Sequence, residues 1–266
     1  MLVASSRHFL NRNNVMDRLS PANRSLERGL LLLRAFRPGS TLLGNGELAE
    51  RTGLARATVS RLTQTLVAGG FLQHDARARA YRLAAPVLSL AYAMHQGSEI
   101  LQAALPLMRE IAESRRVNVG LAAADGEEMV YLESVRRQRA QMFRHITAGS
   151  RIPMELTSLG RAHLATLPGL ELDELLAQFR ARRGAQWPAL RREIRAALAL
   201  VERSGYCQAS WQPGVIALAA PLRLSGYPGH VMNISLPTQH LTEHEIKADL
   251  VPLLKKLVRQ VAERLA

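Results

Sequence analysis

The chain has 266 residues, a single cysteine, 47% hydrophobic and 21% charged residues, proportions that exclude a disordered, collagen-like or disulfide-scaffold protein. Its formal charge of +13, from 35 Lys+Arg against 22 Asp+Glu, asks for an acidic partner such as nucleic acid or an anionic membrane surface. No window reaches the ~18 consecutive apolar residues of a bilayer span, and residues 1–23 lack the apolar core of a secretion signal; the expectation is a cytoplasmic protein of more than one domain, with no membrane partner.

Placement of the charge narrows the choice. Residues 1–90 hold thirteen Arg against five acids, while the longer remainder holds 22 basic against 17 acidic groups, so the first third is the side that meets the anion. Residues 1–23 mix Arg7, Arg12 and Arg18 with Asn11, Asn13 and Asn14 without periodicity and read as a flexible tail. Cys207 stands alone, so one chain can build neither a disulfide nor a cysteine metal site, and the residue reads as packing.

From Ser25, a Ser-x-Glu start leads into Leu26, Leu30, Leu31, Leu33 and Phe36 at helical spacing, ending at Pro38-Gly39. A second short helix over 47–52 is closed by Gly53, and a third begins after Leu54 with Ala55, Val59, Leu62 and Leu66 turned inward. Gly69-Gly70 stops it, and residues 71–74 and 80–83 form two small strands around the polar tip Asp75-Ala-Arg77-Ala-Arg79. Three helices and a hairpin predict a winged helix-turn-helix over 24–84.

Pro86 suits the first turn of a connector helix, 85–97, that ends at Gly97. Ser98 caps the next helix, where Pro106 is expected to introduce a kink. The period then becomes two: 117–124 and 129–135 read as a hairpin, and 141–147 as a third strand. Residues 156–167, 170–182 and 188–204 read as helices, 215–224 and 230–236 as a second hairpin, and 243–265 as a closing helix. The fold class is α+β, with residues 98–266 forming a sensor-like domain around an antiparallel sheet.

Ser25-Leu-Glu-Arg-Gly29, Glu47-Leu-Ala-Glu-Arg-Thr-Gly-Leu54, Ala57-Thr-Val-Ser-Arg-Leu62 and Tyr81-Arg-Leu83 resemble the DNA-binding domain of the IclR family of bacterial transcriptional regulators. Downstream, Ala148-Gly-Ser-Arg-Ile-Pro153, Thr157-Ser-Leu-Gly-Arg-Ala162, Gly214 through Ala219-Ala-Pro221, and Ile234-Ser-Leu-Pro237 resemble that family's effector-binding domain, in the same order. The resemblance covers roughly residues 24–266. It implies a GAF-like second domain that binds a small organic molecule, often a carboxylate or an aromatic catabolite. It also implies a homodimer or tetramer on a palindromic double-stranded operator, and no cofactor.

With the third helix's apolar side turned inward, its opposite face presents Arg56, Ala57, Thr58, Ser60, Arg61 and Gln64. An Arg fork fits guanine O6/N7 and Gln fits adenine N6/N7, which makes Arg61 and Gln64 the candidates for base contact. Arg77 and Arg79 at the hairpin tip suit the backbone or minor groove of adjacent DNA. The alternative is that these arginines are solvated surface charges.

For the effector, Ser158-Leu159-Gly160 opens a helix whose free N–H groups would receive an anion, unless it is an ordinary cap with glycine at a close helix–sheet contact. The family's second hairpin carries over to Ala217, Asn233 and Ser235; alternation puts Asn233 and Ser235 on one face, with Met232 and Ile234 on the other. Met142 and Arg144 share a face of the third strand, where Arg144 would pair with a carboxylate. The family usually carries acidic residues after Gly205-Tyr206, whereas here Cys207-Gln-Ala-Ser-Trp-Gln-Pro213 has none. Trp211 with no repelling acid favours a ligand with an apolar or aromatic body and a negative end, the alternative being that Trp211 is a packing anchor.

Other signals carry little. Gly44-Asn-Gly46-Glu-Leu-Ala49 matches a nucleotide-binding pattern but lies inside the helix-turn-helix. His240 and His244 lack a third ligand, so no metal is expected, and no arranged catalytic set appears. Two rivals stand beside the regulator: an enzyme with an appended DNA-binding domain, for which no spacing selects an acid or base, and a nonspecific nucleoid-type DNA binder.

Overall fold

The computed structural model describes residues 23–136, 146–227, 229–237 and 246–266. These divide into two compact units that meet between Gly97 and Ser98. The expected tail and the His240/His244 pair lie outside the described residues.

In the first unit α1 (Arg24–Arg34) starts one residue before the expected Ser25, because the Asn23 side chain accepts from the N–H groups of Ser25 and Leu26, each at 3.1 Å. Helix α2 (Asn45–Thr52) ends on Gly53 at φ 68°, a left-handed cap that favours glycine. Helix α3 (Arg56–Ala68) follows at once. Leu32, Phe36, Leu43, Leu48, Val59 and Leu72 form the core between the helices, with Leu62 and Leu66 packed against it. Ala55, expected inside, is instead the exposed residue before α3, and the position buried one turn beyond Val59 is Thr63. The Thr63 hydroxyl is tolerated there because it donates to the Val59 carbonyl at 2.9 Å. Strands β2 (Leu72–Asp75) and β3 (Ala80–Leu83) make the hairpin, and β3 also pairs with β1 (Leu43–Gly44), a two-residue strand too short to leave a periodic signal. Helix α4 (Ala85–Gln96) buries no side chain and exposes Leu88, Leu90, Tyr92 and Met94.

The second unit is a six-stranded antiparallel sheet in the order β6-β5-β4-β9-β8-β7. Strands β4 (Asn118–Asp125) and β5 (Glu128–Val135) form the first hairpin around Gly126, at φ 63°. The strand beside β5 is β6 (Arg151–Pro153), not 141–147: Ile146 and Thr147 lie in no strand, and 141–145 fall outside the described residues. Strands β8 (Val215–Pro221) and β9 (His230–Pro237) form the second hairpin, with β7 (Cys207–Ala209) at the edge.

One face of this sheet, carrying Val119, Leu121, Leu218, Met232 and Ile234, packs against α5 (Glu99–Arg115) and the closing helix α9 (Val251–Leu265). Helix α5 runs through Pro106 as one element. Helix α9 starts later than expected, after a π-helical turn at Ile246–Leu250. The other face, carrying Ala122, Met129, Tyr131, Ala219 and Val231, packs against α6 (Ser158–Leu164), α7 (Gly169–Arg183) and α8 (Trp187–Ser204). Each fully buried Leu, Ile or Val in these layers contributes roughly 1.5–3 kcal/mol. Among the described residues no helix is long and apolar enough to cross a membrane.

Candidate functional site

Helix α3 separates its two sides as the spacing predicts. Val59 and Thr63 are fully buried, Arg56, Ala57, Arg61 and Gln64 are exposed, and Thr58 and Ser60 are half-buried along the margin. The exposed side therefore offers two guanidinium forks and one amide within about two turns, flanked by residues small enough for close approach to base edges. At the hairpin tip, the Asp75 carboxylate accepts from the backbone N–H groups of Arg77 and Ala78, both at 3.0 Å. Those bonds and the neighbouring Arg82 guanidinium hold the Asp75 carboxyl below its usual range. The Asp75 side chain is thus committed to shaping the turn, and Arg77 and Arg79 stand exposed on it, Arg79 at φ 50°.

In the second unit a cavity of about 50 Å³ opens at the ends of β4, β5, β8 and β9. Four antiparallel pairings build it: Asn118 lies opposite Ser235, Gly120 opposite Asn233, Ala217 opposite Ser235 and Ala219 opposite Asn233. Asn233 and Ser235 thus share one face, with Met232 and Ile234 behind them in the other core. Trp211, Gln212 and Ile146 close the sides. Of the residues expected for the effector, Trp211, Ala217, Asn233 and Ser235 line this cavity, and Met142 and Arg144 lie outside the described residues.

Among the wall residues that sequence reading missed are Gly120, Tyr131, Ser134 and Arg136. Strict alternation along β5 puts Tyr131 on the opposite face from Ser134 and Arg136. A bulge at Leu132 reverses that, because Ala122 pairs with Tyr131 while the preceding Leu121 pairs with Glu133. Gly120 is needed because a Cβ there would come within 2.4 Å of Asn233 Oδ1 and 2.5 Å of the Tyr131 ring. Its signal, Asn118-Val-Gly120, becomes legible only once the pairing with β9 is known.

The polar groups of this cavity are incompletely used. Burial raises the Tyr131 phenol to about 12, against the opposing pull of the Asn233 amide, which hydrogen-bonds it, and of Arg136. The phenol is therefore a neutral donor at any physiological pH. Among the described residues, Asn233 Oδ1 and Arg136 Nε are buried with no hydrogen-bond partner. One acceptor and one cationic donor thus stand unsatisfied in the same small cavity, each at a desolvation cost of about 1–3 kcal/mol or more.

Ser158, Leu159 and Gly160 are buried and are not among its walls. Thr157 Oγ1 accepts from Gly160 N at 3.2 Å and donates to the Pro153 carbonyl at 2.9 Å, capping α6 internally. A Cβ on Gly160 would lie 2.0 Å from the Met154 carbonyl oxygen. The glycine therefore serves close backbone packing, and the α6 terminus is covered by core. Nearby, Glu155 is wholly buried, its Oε1 accepting from Arg182 at 3.0 Å and from Arg183 at 2.8 and 2.6 Å. Arg161 joins the same layer, donating to the Glu155 carbonyl at 3.0 Å and to Glu193 at 2.7 Å. Burial and the neighbouring His230 lower His163 to about 4. The Cys207 thiol donates to the Ser158 carbonyl at 3.3 Å, and burial pushes it up to about 12, so it is a packing residue in an unreactive state.

The sequence matches the IclR helix-turn-helix domain over residues 25–76 and the bacterial transcriptional regulator IclR C-terminal domain over residues 92–263. It is 32% identical over 241 residues to the HTH-type transcriptional regulator TsaQ1/TsaQ2 of Comamonas testosteroni, covering 89% of this chain and 86% of that one. Among solved structures, an IclR family transcriptional regulator from Brucella abortus is 35% identical, with TM-score 0.85 over 95% of this chain and 96% of that chain. An IclR homolog from Microbacterium hydrocarbonoxydans complexed with 4-hydroxybenzoate shares the fold at 23% identity, with TM-score 0.70 over 91% and 98% of the two chains. These relatives are regulators and not enzymes, which sets aside the reading of a catalytic second domain. The chain belongs to the IclR family of bacterial transcriptional regulators, with a helix-turn-helix that binds DNA and a C-terminal domain that binds a small-molecule effector.

Proposed function

We propose that Arg61 and Gln64 on α3 read bases, that Arg56, Thr58 and Ser60 hold the flanking backbone with Ala57 permitting close approach, and that Arg77 and Arg79 add sequence-independent contacts from the wing. Residues 24–84 form the DNA-reading module, 85–97 the connector and 98–266 the effector domain, and the protein acts in the cytoplasm. One module reads only a few base pairs, so two copies bind a palindromic operator. Helix α4 supports the pairing: a helix with no buried residue that exposes Leu88, Leu90, Tyr92 and Met94 requires a cover, and a second copy supplies one.

The effector is a small organic acid, and the observation that carries this reading is the pair of unsatisfied groups in the strand-end cavity. Arg136 suits a carboxylate, the Asn233 amide oxygen suits a hydroxyl or other donor, and Trp211 offers a ring for an apolar or aromatic body. The cavity's 50 Å³ is far below the roughly 300–1,000 Å³ of small-molecule pockets. Binding must therefore displace a wall, and a ligand that prefers the opened arrangement shifts the population toward it by its differential affinity. The fold relative that holds 4-hydroxybenzoate is a precedent for the fold; the case for this chain rests on its own wall residues.

The test is an anisotropy titration of the purified protein on DNA upstream of its own gene and on a shuffled control at physiological salt, repeated with a panel of aliphatic and aromatic acids. A preference of about a hundredfold or more, modulated by an acid, supports the reading. Equal binding to both DNAs supports nonspecific association, and modulation by cationic or sugar ligands alone overturns the effector class.

A further inference from the structure

The strand-end cavity occupies one end of the β8–β9 hairpin, where Val215 pairs with Pro237 and Ala217 with Ser235; the other end closes where Pro221 pairs with Val231. That far end is fastened to the sheet, since the Ala124 N–H of β4 donates to the Gly229 carbonyl at 3.1 Å and the Leu222 N–H to the His230 carbonyl at 2.9 Å. Between Gly226 at φ 85° and Gly229 at φ 78° the turn presents Tyr227, half-buried against the core that α5 also covers. Its phenol donates to the carboxylate of Glu99, the first residue of α5 and 128 positions away. That bond pushes the phenol above its ordinary pKa, so it keeps its proton and remains a donor. Glu99 is not needed as a helix cap, because the Ser98 side chain accepts from the Leu101 N–H at 3.4 Å. It stands just beyond the Gly97–Ser98 division between the two units.

We propose that the Tyr227–Glu99 hydrogen bond is the latch through which the cavity acts on the connector. A ligand that opens the cavity displaces β9, the bond breaks, and the first turn of α5 is released at the point where the chain enters it from α4. The latch presupposes the effector role of the cavity proposed above, since only a yielding wall moves β9. Asn233 in that wall and His230 at the turn are about 10 Å apart along the strand. Asn233 is paired on both sides, with Gly120 and Ala219, so its displacement is carried along β9 rather than absorbed by a local bend. Little movement is needed: a side-chain hydrogen bond is lost beyond about 3.5 Å, so a shift of about 1 Å at the phenol suffices. The coupling is reciprocal, so DNA bound at the first unit biases the same bond from the other side.

The test is an anisotropy titration of the full chain, without any acid, on DNA upstream of its own gene and on a shuffled control, with circular dichroism to establish that each variant folds. Tyr227→Phe removes the donor and should shift the dissociation constant for the upstream DNA at least about fivefold, leaving the shuffled DNA unchanged. Glu99→Gln should shift it in the same direction, and Tyr227→Phe/Glu99→Gln no further than the larger single change, because both remove one bond. Gly120→Ala serves as a wedge in place of a ligand, since its Cβ would come within 2.4 Å of Asn233 Oδ1; it should reproduce the Tyr227→Phe shift and add nothing to it in combination. Native affinity in folded Tyr227→Phe overturns the latch, as do additive shifts of Tyr227→Phe and Glu99→Gln, which would mark two independent surface effects. A shift in Tyr227→Phe with none in folded Gly120→Ala removes the effector role of the cavity, and the latch loses its input. Equal binding of the native protein to both DNAs removes sequence-specific regulation itself, a failure visible before any variant is made.

Discussion

The exposed face of α3 that we propose reads DNA and the strand-end cavity of the effector domain are opposite kinds of site. On α3 the side chains proposed to contact DNA point away from the core, so their chemistry is independent of what keeps the helix in place; Arg61 and Gln64 are exposed while Val59 and Thr63 are fully buried. In the cavity, Tyr131 and Asn233 are both core residues and wall residues, and Gly120 exists to let them approach. With these roles as proposed, function and stability are separable at the first site and tied together at the second.

The comparison is tested most severely in the effector domain. Gly160→Ala drives a Cβ against the Met154 backbone and is expected to cost more than about 3 kcal/mol, beyond ordinary overpacking, because a carbonyl in a tight loop cannot swing aside as a side chain does. Differential scanning fluorimetry reads this as a melting point lower by roughly 6–12 °C. If the variant keeps its melting point and loses only the ligand response, the α6 terminus is a ligand site after all.

Next in size is a pH effect. His163 has its pKa lowered to about 4 in the folded state, against about 6.5 unfolded. The unfolded chain therefore takes up the proton first as pH falls. Stability is fully present above pH 6.5, is lost progressively between 6.5 and 4, and changes no further from this group below 4. The loss is about 3 kcal/mol. Urea midpoints measured from pH 7.5 to 4 should fall, and His163→Leu should flatten that slope.

Binding effects come third. Arg61→Ala is expected to cost about 1–3 kcal/mol of operator affinity and to relax preference at one base position, with the melting point unchanged. A large drop in melting point would break the claim that α3 separates function from stability. Arg79→Ala should have the smallest effect, weakening all DNA sequences about equally and lowering the salt dependence by about one unit. Asn233→Ala probes the middle of the comparison, since isothermal titration should show lost ligand binding together with a measurable loss of stability.

What the sequence determined was set by local rules. The 3.6-residue period of α3, the Gly53 turn, Pro86 at the start of α4 and the two-residue alternation of β9 each act within a few residues, so spacing alone gave the winged helix-turn-helix and put Asn233 and Ser235 on one face. The ordered blocks over both units carried the family. Where local rules met a tertiary competitor they gave way: Asn23 rather than Ser25 caps α1, and Thr63 enters the core because its hydroxyl is satisfied by its own helix.

The candidate effector cavity belonged to tertiary structure. One extra residue at Leu132 turns Ser134 and Arg136 to the side of Tyr131, and no pattern in β5 announces it, because a bulge is defined by the partner strand. Gly120 and Asn233 are 113 positions apart and become neighbours only through the β4–β9 register. Gly160 looked like a place where a ligand approaches the backbone; packing filled that space with Met154. A helix's outward face follows from its own period, whereas a cavity is the volume several chain segments fail to fill, and that is fixed only when all of them are in place.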